Sequence, residues 1–190
     1  MLQYALVHDL IKINNPNFTI QTTSQGKPFL DLLDYDKLAI PFPNFNFNVS
    51  HHGDYVAIAS EPLCLVGIDI VSFDLPLGET VPDFIHSFSS YFSTLEWDNI
   101  LNAATSNDIL IQFYRYWSLK EAYVKAMGTT MDGKLMPLWR FWLIQLGERH
   151  CVAIARGPPK SADISYISTL KKVDFSEDEY DIAFDGENRG

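Results

Sequence analysis

Two short stretches carry side chains that could do chemistry. In "WSLKEAYVKAMG" (117–128), Lys120, Glu121 and Lys125 interrupt an apolar helical pattern. At about 100° per residue, Phe113, Tyr116, Trp117, Val124 and Met127 fall in a band about 100° wide. Lys120 lies near the middle of that band, and Glu121 lies just outside it, beside Lys125 one helical turn on. A lone buried charge is expensive, so each must be paired, metal-bound or facing a cleft. The plainer alternative lays the Lys120 stem along the aromatics and pairs Glu121 with Lys125 on the surface, for about 0.3–0.5 kcal/mol. The second stretch, "VSHHGD" (49–54), places Ser50 beside His51 and His52, with Asp54 close by and Asp69 downstream.

These groups exclude some chemistries. A Ser–His hydrolase fits poorly, because Ser50 and His51 are adjacent on opposite strand faces and no G-x-S-x-G elbow is present. A metal hydrolase built on His51, His52, Asp54 and Asp69 meets the same obstacle. Adjacent imidazoles diverge in a strand, and an exposed His52 with Asp54 in a turn is the simpler reading. Cys64 and Cys151 both sit in apolar stretches. They read as buried free thiols rather than a disulfide, and two lone thiols do not make a zinc site.

Several elements must position these groups. "LQYALVHDLIKI" has helical spacing, with Leu2, Ala5, Leu6, Leu10 and Ile13 on one face and Asn14, Asn15 and Pro16 ending it. "FTIQTT" predicts a short strand, "SQGKP" a turn, and "FLDLLDYDKLAIPFPN" a loop broken by Pro41 and Pro43. "FNFNVS" alternates: Phe45, Phe47 and Val49 point one way, Asn46, Asn48 and Ser50 the other. "HHGD" reads as a turn, and "YVAIASE" and "CLVGIDIV" as neighbouring strands. Two helical pieces follow, the second capped by Ser93 or Thr94, and then a long helix from about Asn107 to Met127 that ends at Gly128. "LWRFWLIQLG" and "HCVAIARGPP" predict strands, and "ISYISTLKKVDF" a last strand or short helix. Short strands mixed with separated helices predict an α+β fold, and no repeat is visible at the sequence level.

Composition narrows the partners. Of 190 residues, 47% are hydrophobic, enough for a real core. The net charge of −10 argues against general nucleic-acid binding, yet leaves room for an anionic small ligand where cations gather. No apolar run approaches the roughly 20 residues of a membrane span, and the N-terminus lacks the marks of a signal peptide. A cytoplasmic chain with no membrane partner is expected, organelle import being left open. Asp174, Glu177, Asp178, Glu179, Asp181, Asp185 and Glu187 crowd the end. They read as a solvated, frayed tail, with a docking segment as the alternative.

Three motifs now stand in order: "FNFNVSHHGDYVA" (45–57), "VGIDIV" (66–71) and "FYRYWSLKEAYVKAMG" (113–128), with "GKP" at 26–28 as a fourth. Together they resemble the 4′-phosphopantetheinyl transferases, of the larger monomeric type that includes the aminoadipate-pathway enzymes. That family's pattern is N-x-S-H, then G-I/V-D, then W-x-x-K-E-x-x-x-K. Asn48, Ser50, His51, Gly67, Asp69, Trp117, Lys120, Glu121 and Lys125 match it in order. The resemblance runs from about residue 2 to residue 156.

The resemblance implies transfer of phosphopantetheine from coenzyme A to a serine of an apo acyl or peptidyl carrier protein, assisted by Mg2+. It implies two similar α+β halves with coenzyme A in the cleft between them. The chain then divides into an incomplete first half (1–72), a second half (73–173) and the acidic tail (174–190). By the same resemblance Asp69 and Glu121 hold the metal, and Glu121, Asp69 and Lys125 form the catalytic set, Glu121 taking the serine proton. Lys120 and Lys125 neutralise phosphate oxygens, His51 contacts the 3′-phosphate, Asn48 and Ser50 border the nucleotide, and Lys27 reaches another phosphate. His52 stands where the larger type often has Gln. Relatives carry a further basic segment ahead of the first helix, and "TTSQ" before "GKP" has no cation. A shortened, non-catalytic form that only binds coenzyme A or carrier protein is therefore the alternative to an enzyme.

Overall fold

A computed structural model of the chain describes residues 2–11, 19–23, 26–31, 45–128 and 138–158. The order is α1 (Leu2–Ile11), β1 (Thr19–Thr22), β2 (Pro28–Asp31), β3 (Asn46–His52), β4 (Tyr55–Glu61), β5 (Leu65–Ser72), α2 (Val81–His86), α3 (Thr94–Leu101), α4 (Ser106–Met127), β6 (Arg140–Leu146) and β7 (His150–Gly157). The fold is α+β, with antiparallel pairing throughout these strands. The predicted helix end at Asn14–Pro16, the loop around Pro41 and Pro43, the segment "ISYISTLKKVDF" and the acidic tail lie outside the described residues.

The long helix α4 forms where the sequence places its stops. Thr105 caps its start, its side chain accepting from Asp108 N–H. Gly128 ends it at φ 70°, a left-handed conformation that costs a glycine little. Ser93 and Glu96 form a reciprocal capping box on α3, satisfying two otherwise orphaned donors.

β5, β7 and β6 make a three-stranded sheet with β7 in the middle, and α4 lies against it. Leu119, Ala122, Tyr123 and Ala126 of α4 are buried with Phe141, Ala153 and Ala155 of the sheet. A second cluster joins α2, α3 and α4 through Phe84, Ile100, Leu110 and Phe113. Gly67 lets β5 and α4 meet so closely. A Cβ there would stand 2.0 Å from Ala122 O and 2.6 Å from Ala126 N.

The β3–β4 hairpin joins this body by an unusual seam. β5 and β3 form no backbone ladder. Instead Val66, Ile68 and Ile70 N–H donate to Asn46 Oδ1 (3.1 Å), Asn48 Oδ1 (3.0 Å) and Ser50 Oγ (3.1 Å). Three alternate polar side chains of one strand thus satisfy three alternate amides on the open edge of another. The predicted alternation of "FNFNVS" places them correctly, and both faces of β3 are covered, with Phe47, Asn48 and Ser50 all buried.

Four local expectations change. β4 and β5 are not neighbours in a sheet: β4 pairs with β3 and β5 with β7. His51 and His52 belong to β3, paired with Val56 and Tyr55, so the turn is only Gly53–Asp54. Phe29–Asp31 is strand rather than loop, paired with β1. Among the described side chains of α1 the buried one is Val7, off the predicted face, while Ala5 of that face is exposed.

Candidate active site

Strand alternation and helical periodicity bring two acids to one crevice. On β5, Gly67 faces α4, so Asp69, two residues on, faces the same helix. On α4, Glu121 and Lys125 are four residues apart on a single stripe, next to the Ala122 and Ala126 that Gly67 receives.

Asp69 is 6% exposed. Its Oδ1 accepts from Lys125 Nζ at 2.5 Å and from Ser50 Oγ at 3.3 Å. Ser50 Oγ accepts in turn from Lys125 Nζ at 3.0 Å and from Ile70 N–H. The serine hydroxyl therefore spends its one proton on Asp69 and its lone pairs on the ammonium and the amide. The Glu121 carboxylate has no hydrogen bond or ion pair among the described residues. Its pKa is raised, first by burial and then by the nearby Asp69 charge, with Lys125 pulling the other way.

These groups line a crevice of about 650 Å³ with Ser50, His51 and His52 beside them. The opposite wall is largely apolar, formed by Leu75, Pro76, Leu77, Tyr114 and Trp117. Asp74 fixes that wall. Its carboxylate accepts from Ser72 Oγ at 2.8 Å and from Arg149, and its carbonyl accepts from Tyr114 Oη at 2.7 Å. The Ser72 hydrogen bond above all, joined by the Arg149 charge, holds its carboxyl below its ordinary value, against an opposing burial effect. At the rim the His150 ring meets both His52 and Tyr55 edge-on, with centroids 5.9 and 4.9 Å away.

Of the residues singled out in the sequence, Asp69, Glu121, Lys125, Ser50 and His51 meet at this crevice, as does His52. Asn48, Lys27 and Lys120 do not line it. Asn48 is committed to the β5 amide of Ile68. Lys27 Nζ donates to Ala126 O at 2.8 Å and Val66 O at 3.3 Å, tying its turn to the last turn of α4. Lys120 Nζ donates to Glu96 at 2.9 Å and to Tyr91 O at 3.0 Å, and sits 5.0 Å from the centre of the Phe92 ring. The surface pair of Glu121 with Lys125 does not form, because Lys125 reaches across to Asp69.

Sequence reasoning missed Asp74, Tyr114 and Glu96. Only Glu96 left a trace, as the third helical residue after Ser93, where a capping glutamate belongs. Cys64 and Cys151 are buried free thiols, as expected, and burial pushes the Cys151 thiol up to about 11. Among the described residues no group of three His, Cys, Asp or Glu side chains is placed to hold a metal, and no helix is long and apolar enough to cross a membrane.

Residues 65–184 match the family model described as the 4′-phosphopantetheinyl transferase superfamily, and residues 1–63 match 4′-phosphopantetheinyl transferase, N-terminal. The chain belongs to the 4′-phosphopantetheinyl transferase superfamily. It is 38% identical over 135 residues to the L-aminoadipate-semialdehyde dehydrogenase-phosphopantetheinyl transferase of Rattus norvegicus, covering 70% of this chain and 42% of that protein. With the protein of the same name from Mus musculus it shares 33% over 193 residues, covering 85% and 61%. A phosphopantetheinyl transferase of Thraustochytrium sp. is 32% identical over 179 residues, covering 80% and 59%. The chain thus spans between 42% and 61% of these relatives' lengths.

Proposed function

We propose that this chain transfers 4′-phosphopantetheine from coenzyme A to a serine hydroxyl of an acyl or peptidyl carrier protein, in a magnesium-dependent reaction. The observation that carries the reading is Asp69 and Glu121 on one crevice, from β5 and α4, with Lys125 between the strand and the helix.

The donor set suits a hard divalent cation. Magnesium commonly takes one or two protein carboxylates and fills its shell with phosphate oxygens and water. Asp69 has one oxygen free of hydrogen bonds among the described residues, and Glu121 has both. Burial first, and then the Asp69 charge, raise the Glu121 pKa, and the second of these is a repulsion that a shared cation would relieve. Bound there, magnesium would neutralise charge on the pyrophosphate and on the departing phosphate.

The remaining work falls to the chain's own residues. The carrier serine oxygen attacks the phosphorus that bears pantetheine. A phosphorus–oxygen bond forms, the pyrophosphate bond breaks, and adenosine 3′,5′-bisphosphate leaves. Glu121 is the base in reach, its carboxylate half-buried and free of hydrogen bonds among the described residues, so it takes the serine proton. Lys125 neutralises phosphate oxygens once drawn off Asp69, and His51 at the crevice edge receives the 3′-phosphate. The apolar wall of Leu75, Tyr114 and Trp117 suits the uncharged pantetheine arm. Lys27, Asn48 and Lys120 serve as braces: each is spent on a partner that fixes β5, α4 or the loop before α3. We place the boundary between the two halves before β5, since β5 hydrogen-bonds to β7 and the two family models meet there.

The test is incubation with coenzyme A, Mg2+ and an apo carrier protein, read by mass spectrometry. A gain of one phosphopantetheine on the carrier supports transfer. Carrier binding without that gain supports a binding module instead.

A further inference from the structure

We infer that Lys125 is the resident cation of the acidic site, held on Asp69 by Ser50, and that divalent metal and anionic ligand must displace it together. The inference rests on the function proposed above, and concerns how that site is loaded.

Asp69 is almost fully buried, and a buried carboxylate without a counter-ion is strongly disfavoured. The chain supplies that counter-ion itself. Lys125 could pair with Glu121 one turn away on its own helix, but its Nζ lies 2.5 Å from Asp69 Oδ1. Ser50 fixes the arrangement, accepting from Nζ while donating to the same carboxylate oxygen. The second oxygen of Asp69 is open to a metal, but an ammonium and a divalent cation on one carboxylate stand only a few ångströms apart and repel each other strongly. Metal arriving alone therefore works against a lysine whose other nearby anion, Glu121, the metal also takes.

A phosphate-bearing ligand changes this balance. Its oxygens give the ammonium a new partner within the length of one flexible side chain, which leaves Asp69 free for metal. Conversely, metal on Asp69 frees the ammonium for phosphate. Each ligand removes an obstacle to the other, so their binding is positively coupled through Lys125, beyond any direct contact between metal and phosphate. The result is a site that stays closed to metal until the nucleotide arrives.

The experiment measures Mn2+ binding by electron paramagnetic resonance, with and without coenzyme A and with no carrier present, so that no turnover occurs. Wild type should bind Mn2+ weakly alone and about tenfold more tightly with coenzyme A. Lys125→Met should bind Mn2+ alone severalfold more tightly than wild type, and the coenzyme A enhancement should shrink. Ser50→Ala loosens Lys125 without changing the charge, and should raise Mn2+ affinity in the same direction. A general field effect of the lysine would leave Ser50→Ala unchanged, which overturns the inference, as does Lys125→Met binding Mn2+ no better than wild type. Should these variants not fold, wild type still decides. The 15N signal of the Lys125 ammonium, assigned by its absence in Lys125→Arg, should shift and lose protection on adding Mg2+ with coenzyme A. An unmoved signal at saturation overturns the inference and leaves the proposed function standing. Failure of wild type to bind Mn2+ under either condition removes both.

Discussion

Lys125 Nζ pairs with Asp69 Oδ1 at 2.5 Å, while Glu121, one turn earlier on the same helix, has no hydrogen bond or ion pair among the described residues. Burial decides the choice. Asp69 is 6% exposed and loses most from standing unpaired, whereas Glu121 is only half-buried. The two acids therefore enter the site differently: one arrives neutralised by a neighbour, and the other, with no ion pair among the described residues, holds its proton more tightly than usual.

Glu121→Gln should lower transfer by about 10²–10⁴-fold, the usual worth of a positioned base. The same change should not lower stability. Burial and the Asp69 charge raise the Glu121 pKa above its ordinary 4.5, so the folded chain holds that proton more tightly than the unfolded chain. Its stabilising effect is fully present below the unfolded-state value and is lost as pH rises through the raised folded value. Melting curves between about pH 4 and pH 8 should show the variant gaining on wild type as pH increases. Normal turnover would remove Glu121 from the mechanism, and a pH-independent difference in Tm would contradict its unpaired, repelled state.

Gly67→Ala should damage both stability and the site. The added Cβ would meet Ala122 O and Ala126 N, which are backbone atoms of a helix and cannot swing aside. Such overpacking costs about 3 kcal/mol, and more where nothing yields. Any relief must move β5 away from α4, and that carries Asp69 away from Lys125 and Glu121. Chemical denaturation should show the loss. In whatever fraction still folds, Mn2+ binding in the presence of coenzyme A should fall as well. A variant of wild-type stability and metal affinity would show that this close approach is not what assembles the site.

How much of this was legible in the sequence depends on the range of the interaction. Caps, turns and periodicity are local, so α4, its start near Thr105 and its end at Gly128 could be read directly. Alternation on β3 gave the common face of Asn46, Asn48 and Ser50, but not its purpose, because the amides they satisfy lie about 20 residues downstream. Strand pairing is non-local too: β4 and β5 are adjacent in the chain, and only the structure sends β5 to β7, whose first residue, His150, pairs with Ser72. Glu121 stood out as a charge at the edge of an apolar stripe, and the resemblance supplied Asp69. The partner of Lys120 could not be read, since Glu96 comes from a separate helix.

Asn48→Ala should cost about 1–3 kcal/mol, because it leaves the buried Ile68 N–H without its acceptor. Urea denaturation should show a lower midpoint with an unchanged slope. Coenzyme A affinity, measured by calorimetry on the folded variant, should stay near wild type, because Asn48 braces β5 and does not line the crevice. A large loss of affinity at unchanged stability would return Asn48 to the nucleotide.

Lys120 should prove to be a structural cation rather than a phosphate ligand. Its ammonium closes a buried pair with Glu96, whose side chain is only 4% exposed and also caps Ser93 N–H. Lys120→Met strands that carboxylate and should cost about 3 kcal/mol, in the range for breaking a buried pair. Glu96→Gln alone should cost less, since the amide oxygen can still accept from Ser93 N–H. The double variant should recover much of the Lys120→Met loss, because the stranded charge is gone, giving a coupling of about 1–3 kcal/mol in a double-mutant cycle. The loop that Lys120 holds carries Tyr91, stacked 4.9 Å from Trp117 in the crevice wall. Losing the pair should therefore shift Trp117 fluorescence before global unfolding begins. Additive stability effects with no such early shift would mean that Lys120 and Glu96 do not act as a unit, and that the lysine is free to serve the crevice.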